Sequence, residues 1–406
     1  VDPTYSQEAE AYREKIQAFL AEHLPADWRG LGALDRAAVP GFVESWREVL
    51  AGNELLVPSW PARYGGGGLS ELEQVILAEE FQKAGVPTDG PNDPFGITMV
   101  GNTLLHWGTE EQKSHFLPRI ISGEYRFCQG YSEPDAGSDL AGLGCRAHLD
   151  GDEWVINGQK IWTSAGQSAN WIFVLCRTDP DAPKHRGISF ILCPMDQPGV
   201  ELRPIRMLTG QSEFNETFFT DARTAKENVV GEVNQGWSVA MTLLGYERGE
   251  AAATMPMEFR DELDKLVGLA RQQGVTDDPV IRDRLIRAHI DVEIMDLLGK
   301  RTLTGFLAGN APGPTQSMFK LYWSEYHRRV TELALDVLGA AALTPEGEPP
   351  GGSFRTDLPG SANTSASWVG AFFNARAGTI YAGTSEVQRN ILGEMVLGLP
   401  KEPKVG

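Results

Sequence analysis

The spacing of apolar residues changes twice along this chain, and the two changes leave few folds open. Over residues 6–125 apolar positions recur at three and four, as in Ile16, Phe19 and Leu20 and again in Leu72, Val75, Ile76 and Leu77. That period belongs to helices with one buried face. From residue 126 to about 232 the texture shifts to short runs rich in β-branched and aromatic residues, at 154–156, 171–175, 188–192 and 217–219, parted by Gly, Pro and Asp. These read as strands. From residue 236 to about 399 the helical period returns, interrupted by a Pro/Gly/Ser-rich segment over 345–366 that reads as a mobile loop or a lid. The expected organisation is therefore α+β and multidomain: a helical domain over 1–125, a small and largely antiparallel β domain over 126–235, and a second helical domain over 236–406. No internal repeat is visible.

Bulk properties narrow the function. At 406 residues and 41% hydrophobic composition the chain has ample material for two to four cores. No stretch approaches the ~20 apolar residues of a membrane span, and the opening residues lack the charged-then-apolar pattern of a signal peptide. The formal charge of −19, from 36 basic against 55 acidic residues, opposes general binding to nucleic acid or anionic membranes. Cys128, Cys145, Cys176 and Cys193 form no Cys-x-x-Cys pair and the seven His residues no ligand pattern, so no metal site is expected and the thiols read as reduced and mostly buried in a cytoplasmic protein.

Two polar runs carry the chemistry. Residues 131–139 read Tyr-Ser-Glu-Pro-Asp-Ala-Gly-Ser-Asp, a turn-rich segment whose backbone N–H groups suit an anionic ligand. Residues 160–166 read Lys-Ile-Trp-Thr-Ser-Ala-Gly and set a flat indole, Trp162, two positions from the hydroxyl of Ser164. An indole to cover a ring and a hydroxyl to bond a ring heteroatom make a cofactor wall. Alone, Trp162 reads rather as a core aromatic and Ser138 as only a turn hydroxyl.

With these runs, and with Trp60-Pro61 through Tyr64 and Gly65 to Gly68, residues 108–113 (Gly-Thr-Glu-Glu-Gln-Lys), Leu117-Pro118, Gly123-Glu124, Asn157-Gly158 and residues 381–389 (Tyr-Ala-Gly-Thr-Ser-Glu-Val-Gln-Arg) in order, the chain resembles the acyl-CoA dehydrogenase family of flavoenzymes over about residues 60–389. The resemblance implies an N-terminal α domain, a middle β-barrel domain and a C-terminal four-helix bundle. It implies FAD as cofactor, held by Tyr131, Ser132, Ser138, Trp162, Ser164 and Thr384, with Trp162 along the flavin and Ser164 at its N5 edge. It further implies α,β-dehydrogenation of an acyl-CoA thioester to the trans-2-enoyl-CoA, with electrons passed to an electron-transfer flavoprotein. Ser138, Arg248 and the backbone N–H of Ala382 are the implied substrate contacts.

The catalytic base departs from the common pattern. In most members of the family a Glu follows the Tyr of the C-terminal motif; here that position is Ala382. The replacement read from the residues is Glu247: Val239, Leu243 and Glu247 stand at steps of four, so the carboxylate continues an apolar helical stripe and must be paired, neutral or functional. A subset of the family carries its base as Glu followed by Arg, matching Glu247-Arg248. Glu250 and Glu386 are weaker candidates, and a Glu bonded at a helix seam is the bland alternative. The small Ala382, with Gly245 and Gly249 around Glu247, leaves room for a branched or bulky, steroid-like acyl group.

Two further departures concern assembly. The family's Arg-x-x-Phe-Gly run, which clamps the cofactor of a neighbouring subunit, is not found near residues 270–287. Its Gly-Gly-x-Gly run appears as residues 338–342, Leu-Gly-Ala-Ala-Ala, with Asp336 where Gln is usual. The expected assembly is a homo- or hetero-oligomer, dimer or tetramer, and in a heteromer a related subunit supplies the missing contacts. Two other functions stay open at this point: an oxygen-using flavoenzyme on the same fold, and a non-catalytic subunit of a heteromeric dehydrogenase.

Overall fold

The computed structural model describes residues 6–246, 251–307, 313–349 and 357–401. Before the strands come helices α1 (Gln7–His23), α2 (Val39–Gly52), α3 (Glu71–Ala84), α4 (Asn102–Trp107) and α5 (Glu110–Ile121). The strands are β1 (Phe127–Gly130), β2 (Arg146–Asp150), β3 (Glu153–Ser164), β4 (Trp171–Arg177), β5 (Ile188–Pro194), β6 (Val200–Ile205) and β7 (Phe214–Ala225). After them follow α6 (Gly236–Tyr246), α7 (Ala251–Gln272), α8 (Pro279–Leu307), α9 (Gln316–Leu338), α10 (Ser365–Gly378) and α11 (Ser385–Ile391). The chain gathers into two compact units, one of Val1–Ser45, Ser70–Thr88 and Arg248–Gly406, the other of Trp46–Leu69 and Asp89–Glu247.

In the first unit the N-terminal helices start where their sequence says they should. Ser6 caps α1 by accepting from the Ala9 N–H, and Ser70 closes a capping box with Glu73 on α3, which satisfies backbone donors a helix start leaves free. Ala9, Tyr12, Ile16 and Leu20 form the buried stripe of α1. Beside that stripe Glu80, almost wholly buried on α3, accepts from Arg13, Gln17 (2.9 Å) and Lys83 (2.6 Å). The bundle of α7 to α10 is built on Phe259, Leu263 and Leu266 of α7, Ala288, Val292 and Met295 of α8, Tyr326, Val330 and Leu333 of α9, and Trp368 of α10. The Pro/Gly/Ser-rich segment is tied down at its described ends: the Gly32 N–H donates to Pro359 O at 2.8 Å, and Asn363 donates to Lys265 O at 2.8 Å. Residues 350–356 lie outside the described part.

The second unit is organised by a seven-stranded curled sheet of order β1-β4-β2-β3-β7-β6, with β5 on β4. Pairing is antiparallel except for β1 with β4 and a single β2–β4 pair. The core strands β4 and β5 are buried along nearly their whole length, so they read as unbroken apolar runs. The run at residues 108–113 is a helix start: Thr109 and Gln112 form a capping box on α5, and the same Gln112 amide donates to Glu227 O and Val229 O, each at 2.7 Å. The glycines after Trp60 have a steric reason, since a Cβ on Gly66 would sit 2.1 Å from Trp60 O.

Candidate functional site: a pinned loop beside an outward indole

The loop after β1 is held by one buried lysine. Glu133 and Ala136 exchange backbone hydrogen bonds of 3.1 Å, closing a turn over Pro134 and Asp135. The Glu133 carboxylate accepts from Gly144 N at 2.6 Å, Cys145 N at 2.9 Å and the Lys160 ammonium at 2.7 Å. Lys160, whose side chain has no exposed surface, also donates to Tyr131 O at 3.1 Å, and Ile161 N donates to Ser132 O at 2.9 Å. Backbone and charge are thus spent on fixing the loop, while the hydroxyls of Ser132 and Ser138 keep no protein partner among the described residues.

Trp162 owes its position to a bulge. The pairing of β3 with β7 runs Lys160↔Thr217 and then Thr163↔Asn215, so three steps on β3 oppose two on β7. Trp162 takes up the extra residue at φ 63°, an unusual conformation for a bulky side chain. Strand alternation would have placed Trp162 on the same side as buried Lys160; the bulge turns it outward, and 53% of it is exposed. Phe214 supports it edge-on at 5.8 Å. Ser164 pairs with Phe214 at the end of the strand and its hydroxyl has no protein partner among the described residues.

Two polar groups near this wall were not singled out from the sequence. Gln129, on β1 two residues before Tyr131, buries its amide Nε2 with no partner among the described residues, a donor left for a ligand acceptor. Glu213 precedes Phe214, and its carbonyl accepts from Ala165 N at 3.3 Å. Burial pushes the Glu213 carboxyl up to about 7. A signal was present for Lys160, which stands inside the 160–166 run itself, but a lysine in a strand ordinarily reads as solvent-facing.

The C-terminal motif is a strained turn. Ala382 and Gly383 take φ of 52° and 87°. The Ala382 carbonyl accepts from Gln388 Nε2 at 2.9 Å and the Gly383 carbonyl from Lys320 Nζ at 2.6 Å; burial lowers the Lys320 amine to about 8. Thr384 caps α11, its hydroxyl accepting from Val387 N at 3.1 Å. Glu386 faces solvent, with 79% of its side chain exposed. On α6 the expected stripe is present, Val239 and Leu243 being fully buried. Glu247, Arg248 and Glu250 lie outside the described residues. Asp336 pairs with Arg284 within the bundle.

The wall suits a flat, polar-edged ring: an exposed indole on strained backbone, free hydroxyls at Ser132 and Ser164, and an orphaned amide donor at Gln129. Among the described residues no group of three or more His, Cys, Asp or Glu is placed to hold a metal ion, and no helix is long and apolar enough to cross a membrane.

A curled sheet bearing such a wall, with helices before it and a four-helix bundle after it, defines the architecture of an acyl-CoA-oxidising enzyme. The chain belongs to the acyl-CoA dehydrogenase family, whose N-terminal, middle and C-terminal domain models match residues 6–124, 128–222 and 234–397. It is 42% identical to the acyl-CoA dehydrogenase IpdE1 of Mycobacterium tuberculosis over 98% of this chain and 100% of that one, and 41% identical to IpdE1 of Mycolicibacterium smegmatis over 98% and 99%. Among solved structures it is similar to the Tcur3481-Tcur3483 steroid ACAD, with a TM-score of 0.79 and 34% identity over 99% of this chain and 100% of that one. The ChsE4-ChsE5 complex from Mycobacterium tuberculosis gives 0.76 and 31% over 99% and 100%. The family is generally FAD-dependent.

Proposed function

We propose that this enzyme binds FAD and dehydrogenates the acyl-CoA thioester of a bulky, steroid-derived acid to its trans-2-enoyl-CoA. The observation that carries the reading is the exposed Trp162 held at positive φ, an arrangement whose strain has no evident structural return and suits a ring laid against the indole. FAD, when bound, accepts the β-hydrogen as hydride. Ser132, Ser164 and Gln129 offer donors to the ring's polar edges, Tyr131 and Thr384 belong to the same cofactor set, and Ser138 serves the pyrophosphate and substrate. Glu247 removes the α-proton: its spacing of four from Leu243 in the sequence is the ground for choosing it, and an apolar setting would favour the protonated form that a base must reach. The Ala382 N–H polarises the thioester carbonyl, where negative charge develops; a backbone donor survives loss of the side chain. Arg248 contacts the substrate.

The bulky substrate class is supported by the methyl side chain at Ala382 and by similarity to a steroid ACAD. A second, related chain completes the assembly in this proposal, as the departures at residues 270–287 and 338–342 and the likeness to the ChsE4-ChsE5 complex suggest. An electron-transfer flavoprotein takes the electrons. The four free, buried cysteines suit a reducing compartment, the cytoplasm.

Anaerobic mixing of the flavin-loaded protein with straight-chain, branched and steroid side-chain CoA esters, followed at the flavin absorbance, tests the reading. Bleaching by steroid esters in wild type and its loss in Glu247→Gln is the expected result. Bleaching by butyryl- or octanoyl-CoA that equals or exceeds it overturns the substrate class, and undiminished bleaching in Glu247→Gln overturns the base.

A further inference from the structure

We propose that Cys145 and Cys176 are a peroxide-sensitive dithiol whose closure to a disulfide loosens the loop of residues 131–144. Their sulfurs lie 4.0 Å apart in the barrel core. The residues immediately after them, Arg146 and Arg177, are direct partners on the parallel strands β2 and β4, and Arg177 N donates to Cys145 O at 2.7 Å. Neighbouring strands run ~4.8 Å apart, within the Cα separation of ~4.4–6.8 Å that a disulfide spans. The other two thiols are engaged elsewhere: Cys128 Sγ lies 3.4 Å from Met195 Sδ, and Cys193 Sγ takes Gln197 Nε2 at 3.5 Å.

Cys145 is suited to be the attacking sulfur. The Cys176 thiol directed at it, with the Lys160 ammonium nearby, holds Cys145 below the ordinary thiol range against the effect of burial, whereas burial pushes Cys176 well above it. The Cys145 thiolate attacks one oxygen of the peroxide; the O–O bond breaks and the other oxygen leaves with the thiol's proton as water, giving a sulfenic acid. Cys176 sulfur then attacks Cys145 sulfur, the S–O bond breaks, and a second water leaves with the Cys176 proton. Two electrons pass from the dithiol to the peroxide.

Cys145 follows the loop directly in the chain and is tied back to it through Glu133, while Arg177, next to Cys176, donates to Ala141 O at 2.6 Å. Cys145 N donates to Glu133 Oε1, the oxygen that also takes Lys160 Nζ. Drawing the sulfurs from 4.0 Å to a bond of about 2.05 Å rotates both side chains, and a shift of the Cys145 backbone that accompanies it pulls on the carboxylate that holds the turn of Glu133 and Ala136. The proposal goes beyond the flavin reading and does not rest on it.

The purified full-length protein is treated with hydrogen peroxide, alkylated in denaturant and mapped by mass spectrometry, with amide hydrogen exchange measured in parallel. The expected result is one cross-linked pair of peptides, Cys145 with Cys176, two hydrogens lighter and reversed by dithiothreitol. Exchange across residues 131–144 rises about tenfold in the oxidised protein, an opening made about 1.4 kcal/mol easier. Cys145→Ala and Cys176→Ala each abolish both changes, and Cys193→Ala keeps both. Four thiols that stay alkylatable, irreversible oxidation at Cys145, or a disulfide that leaves exchange unaltered would each overturn the proposal. A protein that shows both changes yet takes up no flavin upholds it and refutes the flavin reading instead.

Discussion

Lys160 Nζ lies 2.7 Å from Glu133 Oε1 with its side chain fully buried, joining the middle of β3 to a loop 27 positions earlier in the chain. Glu133 is in turn bonded to two backbone N–H groups, so the pair is fully satisfied on the acid side. Removing one partner strands the other. Lys160→Met is expected to cost about 3–5 kcal/mol, read as a lower urea midpoint. The double variant Lys160→Met with Glu133→Gln should recover part of that loss, because it leaves no unpaired buried charge. A Lys160→Met protein as stable as wild type would mean that the ammonium is not what holds the loop.

Trp162 should behave in the opposite way. Half of its surface is exposed and its main support is the edge of Phe214, a contact worth about 0.5–1.5 kcal/mol. Trp162→Ala is therefore expected to shift stability by about 1.5 kcal/mol at most while weakening flavin binding about tenfold or more. Equilibrium dialysis of FAD against thermal unfolding separates the two effects. Equal losses in both would make the indole a packing residue.

How much of this was legible in the sequence follows from the range of the forces involved. The three-and-four spacing in α1 and α3 and the apolar runs now in β3, β4, β5 and β7 are local patterns, and the chain read alone gives them. Strands β1, β2 and β6 are short; β2 (Arg146-Ala147-His148-Leu149-Asp150) and the start of β6 (Val200-Glu201-Leu202-Arg203) do alternate, but with few large apolar residues, so they stand out less than the runs of β4 and β5. Trp162 stood out in the sequence but its direction did not, since parity along β3 puts it with Lys160 and only the bulge reverses it. The Lys160–Glu133 pair and the orphaned Gln129 amide arise when distant segments meet, which spacing does not encode. Residues 108–113, legible as a family run, prove to be the start of a helix.

Glu213 makes stability depend on pH in a stated direction. Burial raises its carboxyl from 4.5 to about 7 in the folded chain. Below 4.5 the carboxyl is protonated folded and unfolded alike, and no penalty applies. As pH rises from there through about 7, the folded state holds a proton that the unfolded chain has released, so stability falls with pH across that window. Glu213→Gln is expected to remove this part of the decline. The variant should match wild type in urea midpoint near pH 4 and exceed it near pH 8. A constant difference at both pH values would show that the carboxyl does not titrate in that window.

Helix α8 turns Ala288, Val292 and Met295 inward, yet Ile286, Ile290, Ile294 and Leu297 remain exposed by 54%, 50%, 37% and 65%. Their spacing of four, four and three keeps them on one helical face. Charged neighbours along the same helix are already paired within the chain, Arg287 with Asp283, Lys300 with Asp296 and Arg260 with Glu293, so they compete little for a partner. Covering what remains exposed of each side chain would stabilise an assembly by roughly half of the ~1.5–3 kcal/mol of full burial, and an exposed apolar stripe of this kind is where an association surface is expected. Ile290→Glu combined with Leu297→Glu is expected to lower the light-scattering mass of the protein to a smaller species while the helical circular dichroism signal stays unchanged. An unchanged mass would place the subunit contacts on another face of the molecule.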